Sequence, residues 1–96
     1  GIEQAWTAIE ALTARLCEGA VRLGFTVVSP RGEGRRSGIV SLARERFDPA
    51  AAARALAQRN IDVAPRRGWL RVSPHFYNQP DQIAALLDAL ADLLKP

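Results

Sequence analysis

A chain of 96 residues, 48% hydrophobic and 24% charged, has room for one core and enough apolar surface to fill it, which excludes a second domain and wholesale disorder. Its one cysteine, Cys17, excludes an internal disulfide and fits a reducing compartment. The net charge of +3 comes almost wholly from arginine, which permits nucleic acid or acidic partners but does not require them.

The first half of the chain predicts a helix followed by two strands. From Ile2 to Leu23 large apolar residues recur every three or four positions, as in a helix with one buried stripe, and Gly24 supplies a stop. Residues 25–29 favour β structure and precede an exposed connection over 31–36. A second apolar run over residues 38–43 alternates with the period of a strand and predicts an inner strand.

A second helix is predicted by its capping residues. Asp48 followed by Pro49 is typical of an N-cap with proline at the first helical position. The alanine-rich segment that extends to Arg59 has high helix propensity, and Asn60 suits a left-handed exit.

The last third predicts a β-hairpin and a final helix. We expect strands over 61–64 and 69–73, joined by a loop over 65–68. Asn78 is the predicted N-cap of the helix, with Asp81 in the capping-box position. The predicted buried stripe of this helix consists of Ile83, Leu86, Leu87, Leu90, Leu93 and Leu94.

This order of elements predicts one α/β (α+β) domain over residues 1–96. Consecutive strand pairs favour antiparallel neighbours, so we expect a small two-layer sandwich. Its sheet of about four strands is mostly antiparallel, and its three helices pack chiefly on one face.

A motif near the end of the chain resembles a known family. Residues 70–78, Leu-Arg-Val-Ser-Pro-His-Phe-Tyr-Asn, followed by Asp81 and an apolar helix, resemble the closing motif of class V aminotransferases and cysteine-desulfurase-like proteins. Upstream, residues 37–42, the Asp48–Pro49 pair and residues 60–63 follow the order and spacing usual in the small domain of that family. The resemblance implies the C-terminal small domain of a fold type I enzyme, whose large domain, absent from these 96 residues, holds pyridoxal phosphate on a lysine.

On this resemblance Arg71 corresponds to the arginine that binds the carboxylate of an amino-acid substrate. A planar guanidinium suits that role, since it can form two parallel charge-assisted hydrogen bonds with a carboxylate. Strand alternation places Leu70 and Val72 on one face of the strand and Trp69, Arg71 and Ser73 on the other. Arg71 is therefore the predicted substrate-binding residue.

No residue of the chain is predicted to be catalytic or to bind a cofactor or metal. Lys95, the single lysine, follows the last helix and is badly placed for a desolvated Schiff-base pocket. The loop of Arg66, Arg67 and Gly68 has no nucleophilic cysteine, and Cys17 lies within the first helix, which disfavours a desulfurase. We expect an isolated chain without activity and a parent enzyme that performs transamination in preference to lyase or epimerase chemistry.

The predicted partners are the large domain of the same polypeptide and an amino-acid substrate, with the parent a homodimer. No membrane partner is expected, because the apolar stretches are short and interrupted by charge, and no leader is evident; this predicts a cytoplasmic protein. We expect no nucleic acid either, although Arg35-Arg36 and Arg66-Arg67 leave open a stand-alone basic module that binds RNA or a ligand. Trp69 is its one plausible stacking platform. A dimerisation domain without a site is a further alternative.

Overall fold

The computed structural model describes residues 2–28, 38–73 and 79–95. Within these ranges the elements follow the predicted order of helix, strand, strand, helix, strand, strand and helix. The predicted connection over 31–36 and Ser29, the predicted end of the first strand, lie outside the described residues. The elements are α1 (Ile2–Arg22), β1 (Thr26–Val27), β2 (Val40–Ala43), α2 (Pro49–Ala57), β3 (Ala64–Arg66), β4 (Trp69–Val72) and α3 (Pro80–Leu94).

The four strands form one antiparallel sheet in the order β1-β2-β4-β3. The central pair, β2 and β4, comes from distant parts of the chain and aligns Val40 with Val72 and Leu42 with Leu70. The prediction that β2 is an inner strand is confirmed, and β4 is the other inner strand. The middle of the sheet is therefore built by a long-range pairing across the intervening α2 and β3.

One core joins the helices to a single face of the sheet. Alternate residues of β2 and β4 point into it and are fully buried, as a period of two requires. The largest fully buried side chains are Leu16, Val40, Leu42, Leu56, Leu70, Val72, Leu86 and Leu90. Cys17, 6% exposed, belongs to the same core. The predicted two-layer α/β sandwich, with three helices on one face of a four-stranded sheet, is confirmed.

The helix ends show which local signals were correctly interpreted. The Asp48 carboxylate accepts hydrogen bonds from the backbone N–H groups of Ala50 at 3.0 Å and Ala51 at 3.3 Å, which caps α2. Asn60 has a φ of 62°, the predicted left-handed exit. At the end of α1, Gly24 has a φ of 94°, which few side chains tolerate.

The predicted start of α3 is wrong. Asn78 lies outside the described residues, and the helix begins at Pro80 with Gln79 as N-cap. The backbone N–H of Gln79 donates to Oε1 of Gln82 at 3.0 Å, so Gln82 fills the capping-box position that was predicted for Asp81. The reason is Pro80, whose fixed φ and missing N–H suit the first helical position and so set the start of the helix.

Two further details differ from prediction. Leu93 was placed in the buried stripe of α3 but is 39% exposed, because it lies near the end of the helix and faces away from the core. The first strand of the hairpin is Ala64–Arg66, not 61–64, and only Arg67 and Gly68 separate it from β4. Pro65 therefore lies in a strand, which it can do because β3 is at the edge of the sheet, where a missing N–H is tolerated.

Candidate substrate-binding face

The sheet has a second face, opposite the core, on which no helix packs within the described residues. We call it the open face. Strand alternation and register assign to it the residues that separate the core-facing positions of each strand. Its described members are Thr26, Val28, Ile39, Ser41, Ala43, Ala64, Arg66, Trp69, Arg71 and Ser73.

Arg71 lies near the centre of the open face. It is half-buried in the inner strand β4, between the fully buried Leu70 and Val72, so the predicted alternation is confirmed. Across the sheet its partners are Ser41 on one side and Ala64 on the other. Both partners have small side chains, and Ser41 is itself buried, with 8% exposure.

Exposed apolar side chains surround this arginine. Trp69 is 39%, Val28 46% and Ile39 36% exposed, and all three lie on the open face. The backbone N–H of Val28 donates to the carbonyl of Ser41 at 2.9 Å, which extends the β1–β2 pairing to the row that contains Arg71. Exposed apolar groups clustered around a polar centre are typical of a surface that meets another body.

The charge of the open face is positive. None of its described members is acidic, whereas Arg66 and Arg71 carry guanidinium groups. Nη1 of Arg66 donates a hydrogen bond to the backbone carbonyl of Pro65 at 2.9 Å, so this guanidinium contacts the backbone of its own strand, β3. A cation at the centre of an acid-free surface favours an anionic group such as a carboxylate or a phosphate.

The described residues do not provide a Schiff-base lysine for pyridoxal phosphate. The Lys95 side chain is 73% exposed, and its Nζ lies 3.3 Å from Oδ1 of Asp92. A hydrogen bond from Arg59, whose Nη2 lies 3.0 Å from Oδ2, and the contact with Lys95 lower the pKa of Asp92. This lysine is a solvated member of a surface ion-pair cluster, so the cofactor does not fit the residues of this chain alone.

Other chemistry-bearing residues are also accounted for. Cys17 is buried among core side chains and does not reach the open face. No group of three or more His, Cys, Asp or Glu in the described ranges is placed to hold a metal ion. His75, Phe76 and Tyr77, which complete the sequence motif, lie outside the described residues.

Arg71 does not line either of two concavities on the described surface. One, of about 490 Å³, is open and is lined by Gly24, Thr26, Arg44, Glu45 and Arg46. The other, of about 230 Å³, lies between α1 and α3. Neither concavity was predicted from the sequence, nor were the positions of Ser41, Val28 and Ile39 near Arg71 on the open face. Strand register alone brings these residues beside Arg71, so no local signal could have identified them.

Comparison with known proteins gives one informative result. No family model and no curated protein matches the sequence. The structure is similar to that of an apo cysteine desulfurase from Thermococcus onnurineus NA1, with a TM-score of 0.77 and 24% identity over 92% of this chain. The chain has the fold of one part of that enzyme. It spans 25% of the length of the desulfurase, and the likeness agrees with the expected small-domain fold of class V aminotransferase-like enzymes.

No helix in the described ranges is both long and apolar enough to cross a bilayer.

Proposed function

We propose that this chain is the small domain of a pyridoxal-phosphate-dependent enzyme of the class V aminotransferase type, acting on an amino acid. The observation that carries the proposal is the position of Arg71, half-buried at the centre of an acid-free open face. The fold likeness to part of a cysteine desulfurase and the motif over residues 70–78 support the same assignment.

In this proposal Arg71 binds the α-carboxylate of the substrate. Two parallel N–H···O bonds orient the substrate plane as well as bind it, which a lysine ammonium cannot do. Each hydrogen bond to a charged group contributes about 1.5–3 kcal/mol. Strand pairing with Ser41 on one side and Ala64 on the other holds the Arg71 backbone in place.

The partner that completes the site is the large domain of the same polypeptide. It would cover the exposed apolar side chains of Val28 and Ile39 and supply the cofactor lysine that this chain lacks. Pyridoxal phosphate, when bound there, supplies an electron sink for the bonds around the substrate α-carbon. The 96-residue chain alone is then inactive, and the parent enzyme is a cytoplasmic homodimer that binds no nucleic acid.

Within the family we propose transamination ahead of lyase or epimerase chemistry. Desulfurase chemistry is disfavoured, although the structural neighbour is a desulfurase, because Cys17 is buried in α1 and the turn before Arg71 consists of Arg67 and Gly68. A nucleophilic thiolate requires access to substrate, which Cys17 does not have.

The first experiment compares the 96-residue chain with the longer polypeptide that contains it. Both are mixed with pyridoxal phosphate, and the visible absorption of lysine-bound cofactor is recorded. We expect the band only with the longer polypeptide. A longer polypeptide that binds no cofactor would refute the proposal.

The second experiment tests Arg71 in the longer polypeptide. Arg71→Ala removes two charge-assisted hydrogen bonds, so we expect kcat/KM for the amino acid to fall by at least about 100-fold. Arg71→Lys should recover only a small part, and the cofactor band should persist in both variants. Arg54→Ala, which removes an exposed arginine of α2, serves as the matched control. Unchanged turnover in Arg71→Ala would contradict the assigned role.

A basic binding module is the second candidate, and one observation favours it. Trp69 lies on the open face between Arg66, its cross-strand partner, and Arg71. In this arrangement a base of single-stranded RNA can stack on the indole while the two arginines neutralise backbone phosphates. Tight, salt-dependent quenching of tryptophan fluorescence by single-stranded RNA, together with absence of cofactor binding, would favour this module over the enzyme.

A further inference from the structure

Trp69 has an unusual position for a large aromatic residue. It lies two residues before Arg71 on the same strand, so both side chains project from the open face. Strand geometry places their Cα atoms roughly 6.6 Å apart, two steps of about 3.3 Å. The side chain is 39% exposed, although Trp69 belongs to an inner strand. An indole surface is therefore available directly beside the carboxylate-binding position.

We infer that Trp69 forms a wall of the substrate side-chain pocket and that the enzyme prefers amino acids with a bulky apolar or aromatic side chain. This inference rests on the proposed function, because it assumes that Arg71 holds the α-carboxylate. Once the carboxylate is anchored there, the separation of about 6.6 Å along the strand matches the reach of a medium or large side chain. Contact with the indole then removes apolar surface of the substrate from water.

The other residues next to Arg71 make Trp69 the best candidate for a pocket wall. Ala64 and Ser41, the partners of Arg71, are too small to form a pocket wall, so Trp69 is the large side chain beside the arginine on β4. An acidic substrate would need a second cation for its side chain. Arg66, the cross-strand partner of Trp69, donates through Nη1 to the carbonyl of Pro65, so the test below includes glutamate to measure any preference for an acidic side chain.

The test uses the longer, cofactor-loaded enzyme and four substrates that share one backbone: phenylalanine, leucine, alanine and glutamate. We expect the wild type to prefer phenylalanine and leucine. Trp69→Ala should lower kcat/KM for these two by at least about tenfold relative to alanine. Trp69→Phe, which keeps an aromatic wall, should restore most of the preference. Leu93→Ala truncates an equally exposed side chain, 39%, on α3 and should leave the ranking unchanged.

Three results would overturn the inference: a wild-type preference for glutamate, an equal loss for all four substrates in Trp69→Ala, or no change in their ranking. Failure of the proposed function gives a different pattern. In that case no amino acid is turned over, or Arg71→Ala has no effect on turnover. If Arg71→Ala lowers turnover of every substrate while Trp69→Ala leaves their ranking intact, the proposed function stands and the inference alone is wrong.

Discussion

The end of α1 offers a sharp test of the physical argument, because two effects meet at Gly24. Its φ of 94° is a left-handed conformation, and an alanine forced into that region costs about 1–2 kcal/mol. A Cβ at this position would also lie 3.1 Å from Nε and 3.5 Å from Nη2 of Arg44. Nε of Arg44 donates to the carbonyl of Leu23 at 3.1 Å, a bond that satisfies the end of the helix.

Gly24→Ala should therefore destabilise the protein by about 2–3 kcal/mol. The backbone contributes about 1–2 kcal/mol, and displacement of the Arg44 hydrogen bond contributes about 1 kcal/mol. Gly68 provides a matched control, since its φ is 89° and a Cβ there would meet no atom within 4 Å. Gly68→Ala should therefore destabilise the protein only by the backbone contribution of about 1–2 kcal/mol.

Urea denaturation of the two variants, monitored by circular dichroism, measures the difference. For a domain of this size, 1 kcal/mol corresponds to about 4–8 °C in the thermal midpoint, so calorimetry can check the result. In an Arg44→Ala background, Gly24→Ala should cost no more than Gly68→Ala. If Gly68→Ala is as destabilising as Gly24→Ala in the wild-type background, the contact with Arg44 contributes nothing and the reasoning is refuted.

The remaining predictions concern the core and the surface. Leu70→Ala removes a fully buried side chain from an inner strand and should cost about 2–5 kcal/mol in urea denaturation, whereas the half-exposed Leu93→Ala should cost far less; equal costs would contradict the assigned core. Because Arg59 lowers the pKa of Asp92, the stabilisation from this carboxylate is present above its ordinary pKa and is lost as the pH falls through the lowered value. The difference in thermal midpoint between wild type and Asp92→Asn should therefore shrink in acid, and a difference independent of pH would argue against the ion pair.

The open face links these structural features to the proposed activity. Core-facing residues of β2 and β4 stabilise the sheet by packing under the helices, which leaves the alternate residues available for binding. Arg71 is supported by rigid strands on both sides, so its position does not depend on a loop. A site on regular strands keeps its geometry when a second domain closes over it.

Local signals in the sequence were sufficient for the order of the elements and for several of their ends. The N-cap at Asp48 and the left-handed backbone conformations of Asn60 and Gly24 depend on a few neighbouring residues, so the sequence alone predicts them. The opposite orientations of Leu70 and Arg71 also follow from a period of two, which needs no knowledge of the partner strands. The expected role of Arg71 came from the family motif, because hydrophobic periodicity carries no information about substrate binding.

Only the tertiary structure decided that β2 and β4 are neighbours. The order β1-β2-β4-β3 places Ser41 and Ala64 beside Arg71 and brings Val28 and Ile39 to the same face, and the β2–β4 pairing joins residues far apart in the chain. Strand register depends on side-chain packing and chain topology together, so it cannot be read from one segment. Two further differences from the predicted elements involve proline. Pro80, and not Asn78, sets the start of α3. Pro65 can lie in a strand because β3 is at the edge of the sheet.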